Sequence, residues 1–182
     1  IYEANVRLYK YASIGAWNDP DMLEVGVGEL TMEENRTHFS LWCMMAAPLI
    51  LGNDIRKFIN PDGSVDKDNK VLEILKNKAL IEIDQDKRGI QAKRIFSNVV
   101  TDVLVKPLEN KEVAVCLLNK SGSAKEMSFS ITKLHNEAYV DLPIAKKYVV
   151  KDLWEDTQSE ATDVVNATVP SHGVKVYKIK AV

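Results

Sequence analysis

Two carboxylates flank a proline at Asp19-Pro20-Asp21, inside the run Trp17-Asn18-Asp19-Pro20-Asp21-Met22-Leu23. Paired carboxylates can hydrolyse a glycosidic bond, one as nucleophile or base and the other as acid. Pro20 pushes Asp19 out of the helical region, and side chains at i and i+2 of an extended segment diverge. The two are therefore not an acid/base pair, and each can instead cap a turn or the helix that follows. Trp17 is either core or an aromatic platform for a sugar ring, and Met22 is either core or a ligand contact. A second polar group, Asn53, Asp54 and Arg56, follows the apolar stretch Leu49-Ile50-Leu51. Polar residues just past a parallel strand are where α/β active sites form. His38, His135 and His172 are too scattered for a metal site, and no phosphate-binding glycine loop or Ser/His/Asp arrangement stands out. Cys43 and Cys116 belong to no metal or redox spacing and read as two buried free thiols.

These residues need elements to hold them. Residues 1–14 read as a short helix or irregular lead-in. Residues 15–30 carry turn chemistry, with Gly26 and Gly28 allowing backbone shapes that other residues resist. Within that stretch Met22, Leu23 and Val25 make a short buried strand or line a pocket. Thr31 and Glu34 have capping-box spacing before a helix whose Phe39, Trp42, Cys43 and Ala46 share one face. Pro48 ends that helix, and Leu49 to Leu51 follow as a continuously apolar buried strand. After a turn at Pro61-Asp62-Gly63, Asp66 or Asp68 starts a further helix carrying Val71, Ile74, Leu75 and Lys78. The period then shortens, with Gln85 to Gly89 as the boundary between residues 1–88 and residues 89–182. Strands are expected over 90–96, 100–106, 112–119, around Met127-Ser128-Phe129-Ser130-Ile131, and over 147–154, 162–169 and 173–180. Val113, Val115 and Leu117 alternate with Ala114, Cys116 and Leu118, which marks a central strand covered on both faces. The sum is an α/β portion followed by an antiparallel β-sandwich, with Trp154 expected to anchor the sandwich core.

The 182 residues are 27% charged and 46% apolar, ordinary for a globular chain, and the formal net charge is −2. No field is present to attract nucleic acid or an anionic membrane, and no apolar run reaches spanning length. The chain begins at Ile1 without a signal-peptide pattern and reads as a processed, trimmed or partial product. Asn35, Asn119 and Asn166 each open a glycosylation-type triplet, which matters only on a eukaryotic secretory route. Extracellular, lysosomal and cytoplasmic locations all stay open.

The run Gly15-Ala16-Trp17-Asn18-Asp19-Pro20-Asp21-Met22-Leu23-Glu24-Val25-Gly26 resembles a signature of family 27 glycoside hydrolases, the α-galactosidase (melibiase) family. The likeness continues through Thr37-His38-Phe39-Ser40-Leu41-Trp42 and Met44-Met45-Ala46-Ala47-Pro48-Leu49-Ile50-Leu51-Gly52-Asn53-Asp54-Ile55-Arg56. It extends over Ile83-Asp84-Gln85-Asp86, Val103-Leu104-Val105-Lys106-Pro107-Leu108, Val113-Ala114-Val115-Cys116-Leu117-Leu118-Asn119 and Val169-Pro170-Ser171-His172-Gly173-Val174. Nearly the whole chain is covered.

The resemblance implies a (β/α)8 barrel followed by an antiparallel β-sandwich, of which this chain holds the last two barrel units and the sandwich. It implies a retaining hydrolysis of α-galactosides by two aspartates that lie on earlier barrel strands. Neither segment occurs here; the family's nucleophile follows a Lys-Tyr-Asp type motif, and Lys10-Tyr11 is followed by Ala12, so no catalytic residue is assigned and the chain alone is expected to be inactive. By the same resemblance Asp21 and Met22 line the galactose pocket. Trp17, Asn18 and Asp19 support them, while Asn53, Asp54 and Arg56 are mainly structural. No metal or organic cofactor is implied. The implied partners are an α-galactoside and the missing N-terminal barrel segment, about 200 residues. Ala12-Ser13-Ile14-Gly15-Ala16 and Gly26-Val27-Gly28 depart from the family pattern, so the shape of the bordering loop is not carried over. Two other readings stand beside this one. One is a non-catalytic carbohydrate-binding or structural module. The other is a related glycosidase, an α-N-acetylgalactosaminidase or β-L-arabinopyranosidase.

Overall fold

The computed structural model describes residues 1–137 and 139–182. Helix α1 (Tyr2–Asn5) runs into a 3-10 turn, Val6–Leu8. Helix α2 (Met32–Met44) opens on the expected capping box. Thr31 Oγ1 accepts the Glu34 N–H at 3.2 Å, and the Glu34 carboxylate accepts the Thr31 N–H at 2.8 Å. Residues 39–47 are buried without interruption, so α2 is covered on most sides rather than on one stripe. The helix ends at Met44, short of Pro48, and Ala46, just past its cap Met45, has a φ of 51° in the left-handed region.

The next helical stretch departs from expectation twice. Asp66 does not start it, because its carboxylate is engaged by the Asp68 N–H; Asn69 is the cap, accepting from Val71 and Leu72. The apolar pattern that spans Val71 to Lys78 is split into α3 (Lys70–Leu75) and α4 (Lys78–Asp84). Asn77 breaks it, its side chain accepting the Leu80 N–H and so capping a second helix.

Leu49-Ile50-Leu51 is not a buried strand. It makes a single parallel bridge, Leu51 to Leu23, and Ile50 and Leu51 are 59% and 46% exposed. A parallel strand is buried only with neighbours on both sides. Here it has one.

The remainder is β-structure: β1 (Lys93–Ser97), β2 (Thr101–Pro107), β3 (Val113–Asn119), β4 (Lys125–Ser130), a short α5 (Ile131–Leu134), β5 (Tyr148–Asp152), β6 (Gln158–Ala161), β7 (Val164–Val169) and β8 (Val174–Ala181). One sheet has the order β1-β2-β3-β8-β5-β6 and a second pairs β4 with β7; among the described residues every pairing of these strands is antiparallel. Strand β6, too polar to show a period, is the one not foreseen. Val113, Val115 and Leu117 of β3 enter the core between the two sheets, with Met127, Phe129, Val150 and Ile179. Ala114, Cys116 and Leu118 enter a second core with Phe39, Trp42, Cys43, Met44 and Leu80 of the helices. Strand β3 is therefore doubly covered, and both cysteines are buried free thiols.

Trp154 does not anchor the sandwich core. It is half-buried where the sheet meets α2, its indole N–H donating to Ser40 Oγ at 3.0 Å and its ring lying under Arg36. Asp102 of β2, fully buried, ties the start of the chain to the sheet. It accepts from Ser97 Oγ (2.6 Å), Tyr2 Oη (2.8 Å), Lys120 Nζ (3.0 Å) and Arg94 (3.1 Å). Burial alone would raise its pKa, but those hydrogen bonds outweigh it and hold the carboxyl below the usual range. Asn35 and Asn119 are buried and hydrogen-bonded, whereas Asn166 on β7 is exposed. Among the described residues no helix is long and apolar enough to cross a membrane.

Candidate functional site

The backbone from Asp19 to Gly26 is fixed atom by atom. Asp19 Oδ1 accepts the Asp21 N–H at 2.9 Å, and Asp21 Oδ1 accepts the Met22 N–H at 2.7 Å. Asp21 itself sits at φ 78°, where an L side chain is strained. The parallel bridge follows: Leu23 donates to Ile50 O at 2.7 Å, and Gly52 donates to Leu23 O at 2.9 Å. Helix α2 supplies the rest through three residues of one face. The Trp42 indole N–H donates to Asp21 O at 2.8 Å, His38 Nε2 accepts the Glu24 N–H at 3.0 Å, and Asn35 Oδ1 accepts the Gly26 N–H at 2.5 Å. Asn53 Nδ2 closes the set on Val25 O at 2.6 Å. Sequence reasoning gave Asn35, His38 and Trp42 no part in the site, and it placed Asn53 among the polar residues past the apolar stretch. The one available signal was the i, i+3 and i+7 spacing of Asn35, His38 and Trp42, which sets them on one face of α2.

Two side chains project from this frame. Met22 is 47% exposed and lies over Gly52; a Cβ there would come within 2.8 Å of Met22 Sδ and 2.7 Å of Leu23 O. The Asp21 carboxylate is exposed beside it, with one oxygen engaged by the Met22 N–H. Both stand at the polar-loop end of Leu49–Leu51. Next to them Asp54 caps a 3-10 turn, Ile55–Phe58, and pairs with Arg56 at 2.7 Å. The hydrogen bond from Arg56 lowers the Asp54 pKa. Burial pushes His38 down to about 4, so its imidazole is neutral at pH 7 and able to accept.

Trp17 and Asn18 stand apart from that pair. Asn18 Nδ2 bridges Leu8 O and Gln91 Oε1, both at 2.8 Å. The Trp17 ring lies on Gly89, at φ 58°, where an added Cβ would sit 2.7 Å from Cη2. Trp17 also lines a cavity of about 450 Å³ with Ala46, Ala47 and Pro48, at the opposite end of the Pro48–Leu51 segment. The structure thus gathers Asp19, Asp21 and Met22 with Asn35, His38, Trp42 and Asn53, and leaves Trp17 and Asn18 on the far side.

Chemically the turn offers one open carboxylate oxygen and a thioether on a stiff frame. That suffices to accept from a hydroxyl and to cover an apolar face. Asp19 is tied back into the turn by one carboxylate oxygen, which accepts the Asp21 N–H. Cavities of about 900, 450 and 390 Å³ are present, and none is lined by Asp21 or Met22. Their surroundings in this chain form a wall rather than an enclosure.

Two family models match the chain in succession. Residues 2–86 match the one described as alpha galactosidase A, and residues 100–179 match the alpha galactosidase C-terminal beta sandwich domain. An α-galactosidase of Cyamopsis tetragonoloba is 39% identical over 170 residues, covering 92% of this chain and 37% of that protein. The crystal structure of α-galactosidase I from Mortierella vinacea superposes with a TM-score of 0.86 at 31% identity, over 97% of this chain and 43% of the other. An α-galactosidase of Saccharomyces cerevisiae, solved with raffinose, shares the fold with a TM-score of 0.84 at 22% identity, over 98% of this chain and 50% of its own. The chain spans about two fifths of the length of the curated relatives it matches.

Proposed function

The chain belongs to the α-galactosidase (melibiase) family, and from that premise we propose that it supplies one wall of the galactose pocket of a retaining α-galactosidase. Its fold is that of the last βα units of a (β/α)8 barrel followed by an antiparallel β-sandwich. Residues 1–88 are the barrel portion in this reading and residues 89–182 the sandwich. The observation that carries it is the parallel bridge between Leu23 and Leu51, with Asp21 and Met22 projecting at its polar-loop end. Active sites of such barrels open at that end of the strands. Asp21 accepts from a sugar hydroxyl and Met22 packs on the ring. Asp19, Asn18 and Trp17 hold the segment that precedes them.

The nucleophile and the acid/base come from the remainder of the barrel, which pairs with the free edges beside Leu23 and Leu51. Terminal α-D-galactosyl residues of oligosaccharides or glycoconjugates are the substrates. Raffinose, the ligand in the yeast structure, is a suitable probe beside p-nitrophenyl-α-galactoside. The pure 182-residue chain is expected to cleave neither. Co-expression with the preceding barrel segment is expected to restore turnover. Cleavage by the chain alone at the rate of a whole enzyme would overturn the assignment.

A further inference from the structure

We propose that His38 is a positioning residue for the sugar wall, holding the Asp21–Glu24 turn through a neutral imidazole that carries its proton on Nδ1. The inference rests on the reading of Asp21 and Met22 as that wall, and its geometry stands without it. Asp21 is strained at φ 78°, and such a conformation persists only where its surroundings over-determine it. The Trp42 indole N–H fixes the carbonyl of Asp21, and His38 fixes the amide of Glu24, three residues on. The two rings stack at 3.9 Å with an interplanar angle of 29°, so one rigid unit clamps both ends of the turn that carries Met22.

The clamp dictates the tautomer. Nε2 receives an N–H, so it bears no proton, and the remaining proton of a neutral ring lies on Nδ1. An imidazolium would present N–H to N–H and release Glu24. The charged side chains lining the same cleft of about 390 Å³ are Glu24, Glu34 and, from the sandwich, Lys120, with His172 beside them. Two carboxylates and the Lys120 ammonium line that cleft, and burial favours the neutral form of His38.

The test uses the 182-residue chain at pH 7. Long-range nitrogen–proton correlation spectra are expected to show His38 with an unprotonated Nε2. In His38→Phe, which keeps the stack and loses the acceptor, the Glu24 amide is expected to exchange with deuterium at least tenfold faster. The β3 amides should keep their protection. His38→Gln restores an acceptor and is expected to return Glu24 to near its original rate. A protonated Nε2 in the parent chain overturns the proposal whether or not the variants fold. So does unchanged Glu24 exchange in folded His38→Phe, or a His38→Gln that behaves like it. Galactose titration followed at the Met22 ε-methyl separates the two readings. No shift in the parent chain sinks the sugar wall and leaves the clamp to the exchange data. A shift weakened at least tenfold by His38→Phe, and not by His38→Gln, joins them.

Discussion

At Asp21 the backbone occupies a region that disfavours an L side chain by about 1–2 kcal/mol. The carboxylate offsets part of that by accepting the next amide, Met22 N–H, at 2.7 Å. Asp21→Gly separates the two effects. Glycine adopts φ 78° freely, so urea unfolding is expected to show stability unchanged or raised by about 1 kcal/mol. Galactose binding at the Met22 methyl is expected to fall at least tenfold. A variant that lost stability and kept binding would contradict the role given to this carboxylate. Asp21 and Met22 enter the proposed sugar wall only through resemblance, because an aspartate before a methionine has no chemistry of its own. Asn35, His38 and Trp42 were not legible, because their partners are main-chain atoms. A sequence gives side-chain types, not the directions of carbonyls and amides.

Some elements with local causes were read well from sequence, and several with distant causes were not. The Thr31/Glu34 box is a contact three residues long, and it starts α2 where the spacing put it. Burial of Leu49–Leu51 depends on strands that lie elsewhere, and apolar letters could not reveal their absence. The split of α3 from α4 turns on Asn77 acting as a cap, which a run of apolar positions conceals. The anchoring of α1 is the least local of all, since Tyr2 and Glu3 meet Arg94, Asp102 and Lys120. Removing one partner from such a buried set leaves the others uncompensated. Asp102→Asn is expected to lower stability at pH 7 by about 3 kcal/mol in urea unfolding. Asp102 titrates below its unfolded value of about 3.9. Its contribution is therefore complete above that pH and is lost as pH falls through the folded pKa. Acid titration of the Asn variant should lack that share of the loss.

Across the whole molecule, apolar exposure is uneven. Among the described residues, fourteen of the twenty exposed large apolar side chains precede residue 66, Tyr11, Ile14, Ile50, Leu51 and Ile55 among them. A surface of that kind with an unpaired parallel edge invites association. Sedimentation velocity is expected to show the chain forming larger species as its concentration rises. The double variant Ile50→Lys/Leu51→Lys should shift it toward monomer without loss of the β-sheet circular dichroism signal. Equal association by the double variant would move the contact elsewhere, for instance to Phe96 and Val164 beside the groove between the sheets.

Strand β3 has a consequence for chemistry at sulfur. Cys116 on its helix-facing side and Cys43 at the end of α2 share one apolar layer, and burial raises both thiols well above their ordinary pKa. Neither is a nucleophile while that layer is intact. A thiol reagent would therefore act as a single alarm: silent toward both sulfurs in the native chain, then labelling the two in step once the helices lift from the sheet.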